Sequence, residues 1–278
     1  MIDITSSIIK ELYPKGEERT ICPRQFHGIY ITKEYEPEDR LAWMKGRYFE
    51  SQLIGASRDE VVDDLPRDAR NGKKTIDHQR IDDQILVAKQ VLMYYNVDVN
   101  KFNVQTVLRT PYNEKYCLKG TLDIFPTTVL DTLSAELIPA IVDIKLTEDV
   151  ENKWGDFCWG APSYMDNTQA VHYSNLVHTI DNGMNDISSY PKELIDMCTK
   201  GVIDFFYFVF GYKKTKGFRN PIRVIASAKM EEYNETLRKT ISKLDMLESQ
   251  GWPAIRNSDL CPTCPVIDCE MKKAILDV

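Results

Sequence analysis

Apolar residues recur along the chain with two periods, and these periods predict its secondary structure. Spacings of three and four residues are typical of amphipathic helices, whereas alternating or short continuous apolar runs are typical of strands. The predicted helices are 37–55, 76–95, 166–180 and 229–250, and the predicted strands are 102–109, 116–125, 138–146, 202–212 and 222–228. Pro37 and Gly55 favour the two ends of the first helix.

This order of elements predicts the fold class α/β, with a central mixed β-sheet flanked by helices. The length of 278 residues is consistent with a single domain, 1–278. The polar stretch 57–80 is predicted to be a surface insertion. Cysteines near both ends indicate that segments 1–35 and 253–278 together form a small accessory module.

The composition favours a globular protein over a membrane or nucleic-acid-coating protein. No apolar run is long enough to cross a bilayer, and the start of the chain lacks the layout of a signal peptide, so a cytoplasmic location is expected. The formal net charge of −7 argues against unspecific coating of nucleic acid, which needs a basic surface. It does not exclude a nucleic-acid enzyme whose positive charge is local or supplied by bound metal.

Two predicted strands each carry an aspartate where a core residue is expected. Asp123 ends the run Gly-Thr-Leu-Asp, and Asp143 lies two residues before Lys145 in an otherwise apolar strand. Residues i and i+2 of a strand share a face, about 7 Å apart, so Asp143 and Lys145 point the same way. Two acids and a lysine on one face are suited to a divalent-metal phosphodiesterase site. The alternative is a structural ion pair on a half-exposed strand.

Polar residues on two predicted helices could complete this site. Glu50 lies within the apolar stripe of the first helix, where a third carboxylate is suited to metal binding; the alternative is an ordinary exposed glutamate. Gln169 and Tyr173 are four residues apart and share a helix face. A glutamine can orient water or phosphate and a tyrosine hydroxyl can contact a nucleic-acid backbone, although this pair alone is a weak signal.

Cysteines and lysines form two further groups of candidate residues. Cys261, Cys264 and Cys269 lie close together, and such thiols in a reducing compartment indicate a metal site, with the distant Cys22 as candidate fourth ligand. Zinc, an iron–sulfur cluster or a redox pair at Cys261 and Cys264 remain open on the residues alone. Candidate DNA contacts lie in a basic turn that could equally be a solvated hairpin tip: Lys213, Lys214, Lys216 and Arg219.

In their order along the chain, these motifs resemble the RecB-like branch of the PD-(D/E)XK nuclease superfamily. The likeness is to its iron–sulfur members, the CRISPR-associated RecB-like exonucleases and the AddB nuclease domain. The segments that carry the resemblance are Cys22-Pro23-Arg24, Gly46-Arg47-Tyr48-Phe49-Glu50, Gly120-Thr121-Leu122-Asp123, Asp143-Ile144-Lys145, Gln169-Ala170-Val171-His172-Tyr173 and the terminal cysteines. The gap of four residues before Cys269 is shorter than in many members of the branch, which keeps a structural Zn²⁺ open.

The resemblance implies a restriction-endonuclease-like core and a Mg²⁺- or Mn²⁺-dependent deoxyribonuclease, with exonuclease action expected. It assigns metal binding to Glu50, Asp123, Asp143 and the main-chain carbonyl of Ile144, catalytic roles to Asp123, Asp143, Lys145, Gln169 and Tyr173, and a [4Fe–4S] cluster to Cys22, Cys261, Cys264 and Cys269. The implied partners are DNA that is single-stranded or has free ends, and proteins of recombination, CRISPR adaptation or phage DNA metabolism, with no membrane. The alternative function is a catalytically weak nucleic-acid-binding or assembly protein that keeps the nuclease fold.

Overall fold

A six-stranded mixed sheet forms the centre of the chain, with helices on both of its faces. The computed structural model describes residues 1–35, 40–55, 61–150, 166–179, 192, 196, 201–213, 217–218, 220–255, 261, 264–266 and 269–271. The strands are β1 (Ile2–Ile4), β2 (Val104–Pro111), β3 (Tyr116–Asp131), β4 (Glu136–Thr147), β5 (Asp204–Gly211) and β6 (Ile222–Val224). The helices are α1 (Ser6–Leu12), α2 (Pro23–Phe26), α3 (Arg40–Ile54), α4 (Ile76–Tyr94), α5 (Thr168–His178) and α6 (Met230–Ser249). The predicted α/β class with a mixed central sheet is confirmed.

The strand order is β1-β3-β4-β5-β6, and β2 pairs with β3 outside this path. β3 and β4 form an antiparallel hairpin, as do β2 and β3, whereas β4 pairs with β5 in parallel. The short β1 pairs in parallel with the first residues of β3, so that the start of the chain enters the sheet. The sequence pattern placed only a short apolar segment there and predicted neither β1 nor α1.

Several predicted boundaries shift in the structure. β3 continues to Asp131, well past the predicted end at 125, because its apolar and β-branched residues extend the pairing with β4. The last strand stops at Val224 and is followed by a 3₁₀ turn, Ala226–Lys229, where a strand had been predicted up to 228. Residues 36–39, including the predicted helix start at Pro37, lie outside the described residues.

Side chains of alternating strand residues divide the interior into two cores. On β5, Phe205, Tyr207 and Val209 pack with α1, α5 and α6, whereas Phe206 and Phe208 pack with α3 and α4. The predicted inner stripe is buried as expected, with four residues on α4 and the last at its C-cap: Ile81, Ile85, Ala88, Leu92 and Tyr95. The sheet is therefore covered on both faces, and a polar group on it must find partners within the protein.

Two regions of uncertain organisation in the sequence have defined contacts in the structure. In the predicted insertion, Leu65 is 5% exposed and belongs to the core formed with α3 and α4, so the described part of this stretch is partly packed. Near the two ends of the chain, Phe26 and His27 pack against Trp252, with ring centroids 6.3 Å and 4.7 Å apart. Tyr35 packs against the cluster of Cys264, Val266 and Cys269. None of the described helices combines the length and apolar character that crossing a bilayer requires.

Candidate active site

Two buried carboxylates lie at the point where the ladder between β3 and β4 ends. The last pair on this side is Ile124 and Val142; Asp123 precedes the first of these residues and Asp143 follows the second. Asp123 is 3% exposed and Asp143 is 1% exposed. An ionised carboxylate loses hydration on burial and needs hydrogen-bond donors or cations in exchange. The partners of this acid pair therefore define the site.

Asp123 occupies the space where the two strands are no longer paired. Its Oδ2 accepts a hydrogen bond from the backbone N–H of Ile144 at 2.9 Å. The side chain thus supplies to β4 an acceptor that the backbone of β3 does not supply at this level. This contact fixes the orientation of the Asp123 carboxylate relative to the strand that carries Asp143.

Asp143 is held from two directions. The Lys145 ammonium lies 2.6 Å from its Oδ2, and the Gln169 side-chain amide donates to its Oδ1 at 2.8 Å. The structure therefore brings together the acid, the lysine and the glutamine that the sequence singled out. Lys145 retains 31% exposure of its side chain, so the group reaches the surface next to a buried acid.

Burial also affects a tyrosine beside this acid. Tyr207 pairs with Asp143 across the parallel ladder of β4 and β5. Burial raises the pKa of Tyr207 well above its usual range, and the nearby Asp143 charge acts in the same direction. The Tyr207 phenol therefore stays neutral and serves as part of the wall of the site rather than as an acid.

Glu50 approaches the same place from the α3 side of the sheet, through a residue that the sequence analysis did not identify. The Gln105 side-chain amide donates to Glu50 Oε1, and the same nitrogen lies 3.5 Å from Asp123 Oδ1. Gln105 thereby joins the third predicted carboxylate to the acid pair. It lies in an alternating strand pattern, where a polar residue is ordinary, so the sequence contains no signal for this role.

The helix that carries Gln169 packs against the sheet at a glycine. A Cβ atom on Gly120 would lie 2.7 Å from the Tyr173 ring and 2.8 Å from Leu176, closer than atoms pack. The glycine of the Gly-Thr-Leu-Asp run therefore permits α5 to approach β3 closely enough to deliver Gln169. Tyr173 itself is 3% exposed, so its ring packs in the core, and a contact of its hydroxyl with DNA stays a prediction.

Lys10 on α1 is a second cation near Asp143, and no sequence pattern singled it out. Burial lowers the pKa of its ammonium group; the charges of Asp166 and Asp143 oppose this shift, and the Lys145 charge adds to it. The ammonium group of Lys10 therefore interacts electrostatically with these three groups. The position of Lys10 in a short apolar segment gave no sign that it would lie near an acid of a distant strand.

The donor atoms at this place suit a hard divalent cation. Glu50, Asp123 and Asp143 provide carboxylate oxygens, which Mg²⁺ and Mn²⁺ prefer. The Oε1 of Gln105 is buried and has no hydrogen-bond partner among the described residues, which leaves one further oxygen available beside two of the carboxylates. As they are placed in the described part of the chain, no three acidic, histidine or cysteine side chains are grouped so that they could hold a metal ion. The metal role of these residues, and that of the Ile144 carbonyl, stays a prediction.

The four predicted cluster cysteines lie near one another. Cys261, Cys264 and Cys269 are buried and Cys22 is half-buried. Burial raises the pKa of the Cys264 thiol, and the charges of Cys22, Cys269 and Cys261 act in the same direction. Thiols from both ends of the chain thus interact, which is the donor chemistry of a thiolate-bound metal. The described residues do not show the Cys-ligated module as a metal site.

The basic turn after β5 gives little support for a DNA contact. The Lys213 ammonium lies 2.7 Å from Glu148 Oε1, and this pair raises the pKa of Lys213. Lys214, Lys216 and Arg219 lie outside the described residues. The predicted DNA contact through this turn stays a prediction, with the charge of Lys213 already balanced within the protein.

Comparison with known proteins shows solved structures of similar fold. One of them is the 2.19 Å crystal structure of a protein from Eubacterium rectale that is provisionally described as an exonuclease. The match has a TM-score of 0.53 and 16% sequence identity, and it covers 97% of this chain and 86% of the other. At this identity the likeness concerns the fold. No protein-family model matches the chain, and no curated protein matches it either.

Proposed function

We propose that this chain is a divalent-metal-dependent deoxyribonuclease that hydrolyses phosphodiester bonds, with an exonuclease as its expected form. The observation that carries the proposal is the buried pair Asp123 and Asp143 at the end of the β3–β4 ladder, with Lys145 in contact with Asp143. A structural ion pair needs one acid and one base. A second buried acid, with Glu50 joined to it through Gln105, goes beyond that need.

Glu50, Asp123 and Asp143 would hold Mg²⁺ or Mn²⁺, with the Ile144 carbonyl as a further ligand. When bound, the cation activates a water for attack and neutralises charge on the phosphate. The Ile144 N–H and Gln105 orient Asp123, and Gln169 orients Asp143, so that their oxygens are placed before substrate arrives. Such preorganisation lowers the cost of reaching the transition state.

Lys145 and Lys10 supply positive charge for an anionic substrate. Lys145 is in contact with Asp143 and partly exposed, so it can meet the phosphate and stabilise the charge that develops on it. Lys10 acts electrostatically on the same groups from α1. The net charge of −7 is therefore compatible with an anionic substrate, because binding of the phosphate depends on positive charge at the site and not on the charge of the whole protein.

DNA that is single-stranded or has free ends is the proposed substrate. The fold is similar to that of a protein provisionally described as an exonuclease, which supports this choice. RecB-like nucleases of this kind take part in recombination, CRISPR adaptation or phage DNA metabolism, and proteins of those processes are the proposed partners. We propose that the protein acts in the cytoplasm.

The test is cleavage of labelled single-stranded and blunt duplex DNA in Mg²⁺ or Mn²⁺. We expect wild-type protein to cleave, EDTA to abolish cleavage, and Asp143→Asn to lower the rate by about 10³-fold or more. A matched control is Asp131→Asn, at the far end of the same strand hairpin in an ion pair with Arg223, and it should retain activity. Closed circular DNA separates the two modes of attack, since only an endonuclease can cut it.

Equal cleavage by wild type and Asp143→Asn would refute the assignment of the site. Binding of DNA by clean wild-type protein without any metal-dependent cleavage would instead support the second candidate function. That candidate is a catalytically weak binding or assembly protein, and the acidic net charge with Lys145 already paired to Asp143 is the observation that favours it.

We also propose that Cys22, Cys261, Cys264 and Cys269 bind a [4Fe–4S] cluster that joins the two ends of the chain. The electrostatic effect of Cys22, Cys261 and Cys269 on the Cys264 thiol supports it. Protein purified without oxygen should be brown and contain about four irons and four sulfides per chain. A colourless protein with one zinc per chain would replace the cluster with a zinc site. Cys264→Ala should lower thermal stability in either case, whereas Cys117→Ala, a buried cysteine in β3, should leave the metal content unchanged.

A further inference from the structure

Gln105 has a backbone conformation that its sequence does not favour. Its φ is +52°, in the left-handed region, although it is neither glycine nor at a turn. It lies between the pairs Val104–Ile124 and Thr106–Leu122, directly opposite Asp123. Non-glycine residues persist in this conformation only where their surroundings hold them, and such residues are concentrated at functional sites.

The two ends of the Gln105 side-chain amide differ in their surroundings. The nitrogen faces Glu50 and Asp123 and donates to the first of them. The oxygen, Oε1, is buried and has no hydrogen-bond partner among the described residues. A buried acceptor without a donor is costly, so the present orientation satisfies the two acids at the expense of the amide oxygen.

Which end of the Gln105 amide faces Glu50 and Asp123 depends on whether a cation is bound to these two carboxylates. Bare carboxylates attract an N–H donor, whereas a cation bound to them repels it and attracts a carbonyl oxygen. The last side-chain torsion of glutamine is broad and roughly two-fold, so the amide can exchange its two ends without moving the backbone. Amide oxygens are ordinary ligands of hard divalent cations.

We propose that Gln105 is a further metal ligand of this site, which turns its amide on metal binding so that Oε1 replaces the nitrogen beside Glu50 and Asp123. This inference rests on the proposed metal-dependent function. In the metal-free protein the N–H keeps the two acids together, and in the metal-bound protein the oxygen completes the set of ligands. The left-handed backbone at Gln105 aims the side chain at this place in both states.

Two substitutions separate a ligand from a mere hydrogen-bond donor. Gln105→Met keeps the size of the side chain but removes both the N–H and the oxygen. Gln105→Glu removes the N–H and keeps an oxygen, now charged. If Gln105 acts only as a hydrogen-bond donor, both variants should bind the metal equally weakly. If its oxygen is a ligand, only the methionine variant should bind weakly.

The experiment is titration of the full chain with Mn²⁺, in which free Mn²⁺ is followed by electron paramagnetic resonance, with no substrate present. We expect Gln105→Met to raise the Kd by about 10-fold or more, in the range found when a supporting group of a metal site is removed. Gln105→Glu should bind Mn²⁺ at least as tightly as wild type. Gln79→Met, on the exposed face of α4, is the matched control and should leave the Kd unchanged.

Each contrary result has one meaning. If wild-type protein does not bind Mn²⁺, the proposed metal-dependent function fails together with this inference. If wild type binds but both Gln105 variants bind equally weakly, Gln105 is only a donor to the acids and the inference alone is overturned. If Gln105→Met binds as tightly as wild type, Gln105 has no part in the metal site.

A measurement on unaltered protein covers the case in which a variant does not fold. The side-chain amide of Gln105, labelled with ¹⁵N, should show an N–H proton signal shifted downfield in the metal-free protein because this proton bonds to a carboxylate. On addition of diamagnetic Mg²⁺ that signal should move upfield, since the N–H leaves the carboxylate. A proton signal that stays downfield at saturating Mg²⁺ would overturn the inference.

Discussion

Two buried polar clusters lie one helical turn apart on α5, and they differ in charge and in contact with solvent. In the first, Gln169 donates to the buried carboxylate of Asp143, and the partly exposed Lys145 completes the cluster. In the second, the fully buried His172 lies between the Tyr233 hydroxyl at 2.7 Å and the Lys119 carbonyl at 2.9 Å. Because the carbonyl only accepts, His172 Nε2 carries the proton, and Nδ1 accepts from Tyr233.

The difference shows how burial of polar groups can serve either chemistry or stability. The His172 cluster is neutral, and both ring nitrogens of His172 already have hydrogen-bond partners. No polar atom of the ring is therefore available to a ligand. Burial lowers the pKa of His172 to about 4, which keeps the ring uncharged at neutral pH. The Asp143 cluster keeps a charge in the interior and leads to the surface through Lys145, which is the arrangement expected of a reactive centre.

The largest expected effect is on activity, from Lys145→Met. Loss of the ammonium beside Asp143 should lower the rate of DNA cleavage by about 10²–10³-fold, because the charge that develops on the phosphate loses a fixed counter-charge. The thermal midpoint should fall as well, because the buried carboxylate of Asp143 loses the cation that lies beside it, so the rate is compared per folded protein. Lys239→Met, in an exposed pair with Glu235 on α6, is the control for loss of a lysine. If the variant cleaves at the wild-type rate, Lys145 has a structural role only, like His172.

The next effect is a dependence of stability on pH that comes from His172. Its pKa is about 4 in the folded protein and about 6.5 in the unfolded chain, so the unfolded state binds the proton more tightly. The contribution is complete above about pH 6.5 and is lost as the pH falls towards 4, by about 3 kcal/mol in total.

Urea unfolding of wild type and His172→Gln at pH 7 and pH 4.5 measures this contribution. The substitution should remove most of the stated loss on acidification, because glutamine does not titrate. His178→Gln, at the exposed end of the same helix, should keep the wild-type dependence. If His172→Gln retains the full dependence on pH, other groups are responsible for it.

The smallest expected effect is a change in stability from substitution of Gly120, where the helix α5 that carries both clusters packs on β3. Gly120→Ala would place a methyl group against Tyr173 and Leu176, and we expect a loss of about 1–3 kcal/mol from overpacking, measured by urea unfolding. Gly46→Ala on α3 is the opposite case. Its Cβ would meet nothing within 4 Å, so alanine should raise stability by up to about 1 kcal/mol. Equal effects of the two substitutions would contradict the close packing of α5 on β3.

The sequence predicted the elements whose pattern is local. The stripe of α4 and the alternation of β4 arise from burial on one or two faces, so spacing alone revealed them, and with them the shared face of Asp143 and Lys145. β1 and α1 were missed because three strand residues and a seven-residue helix are too short for a period to be recognised. Their place in the fold depends on pairing with residues 116–118, far along the chain.

The same distinction applies to the site. Aspartates in apolar strands are conspicuous, and the motif order pointed to Asp123, Asp143 and Gln169. Gln105 and Lys10 are inconspicuous because each is an ordinary polar residue in its own element. Their importance arises from which distant groups they meet, and the left-handed backbone of Gln105 cannot be read from a residue type that rarely adopts it.

The hairpin of β3 and β4 has a consequence for how the chain folds. Its two strands are joined by only residues 132–135, so the loop that brings Asp123 and Asp143 together costs little chain entropy. β5 and α5 join β4 from much farther along the chain, and such pairing is slower. We therefore expect the two acids to meet early in folding, before Gln169 and β5 enclose them. We also expect their mutual repulsion to slow this step, and cations in solution to relieve it.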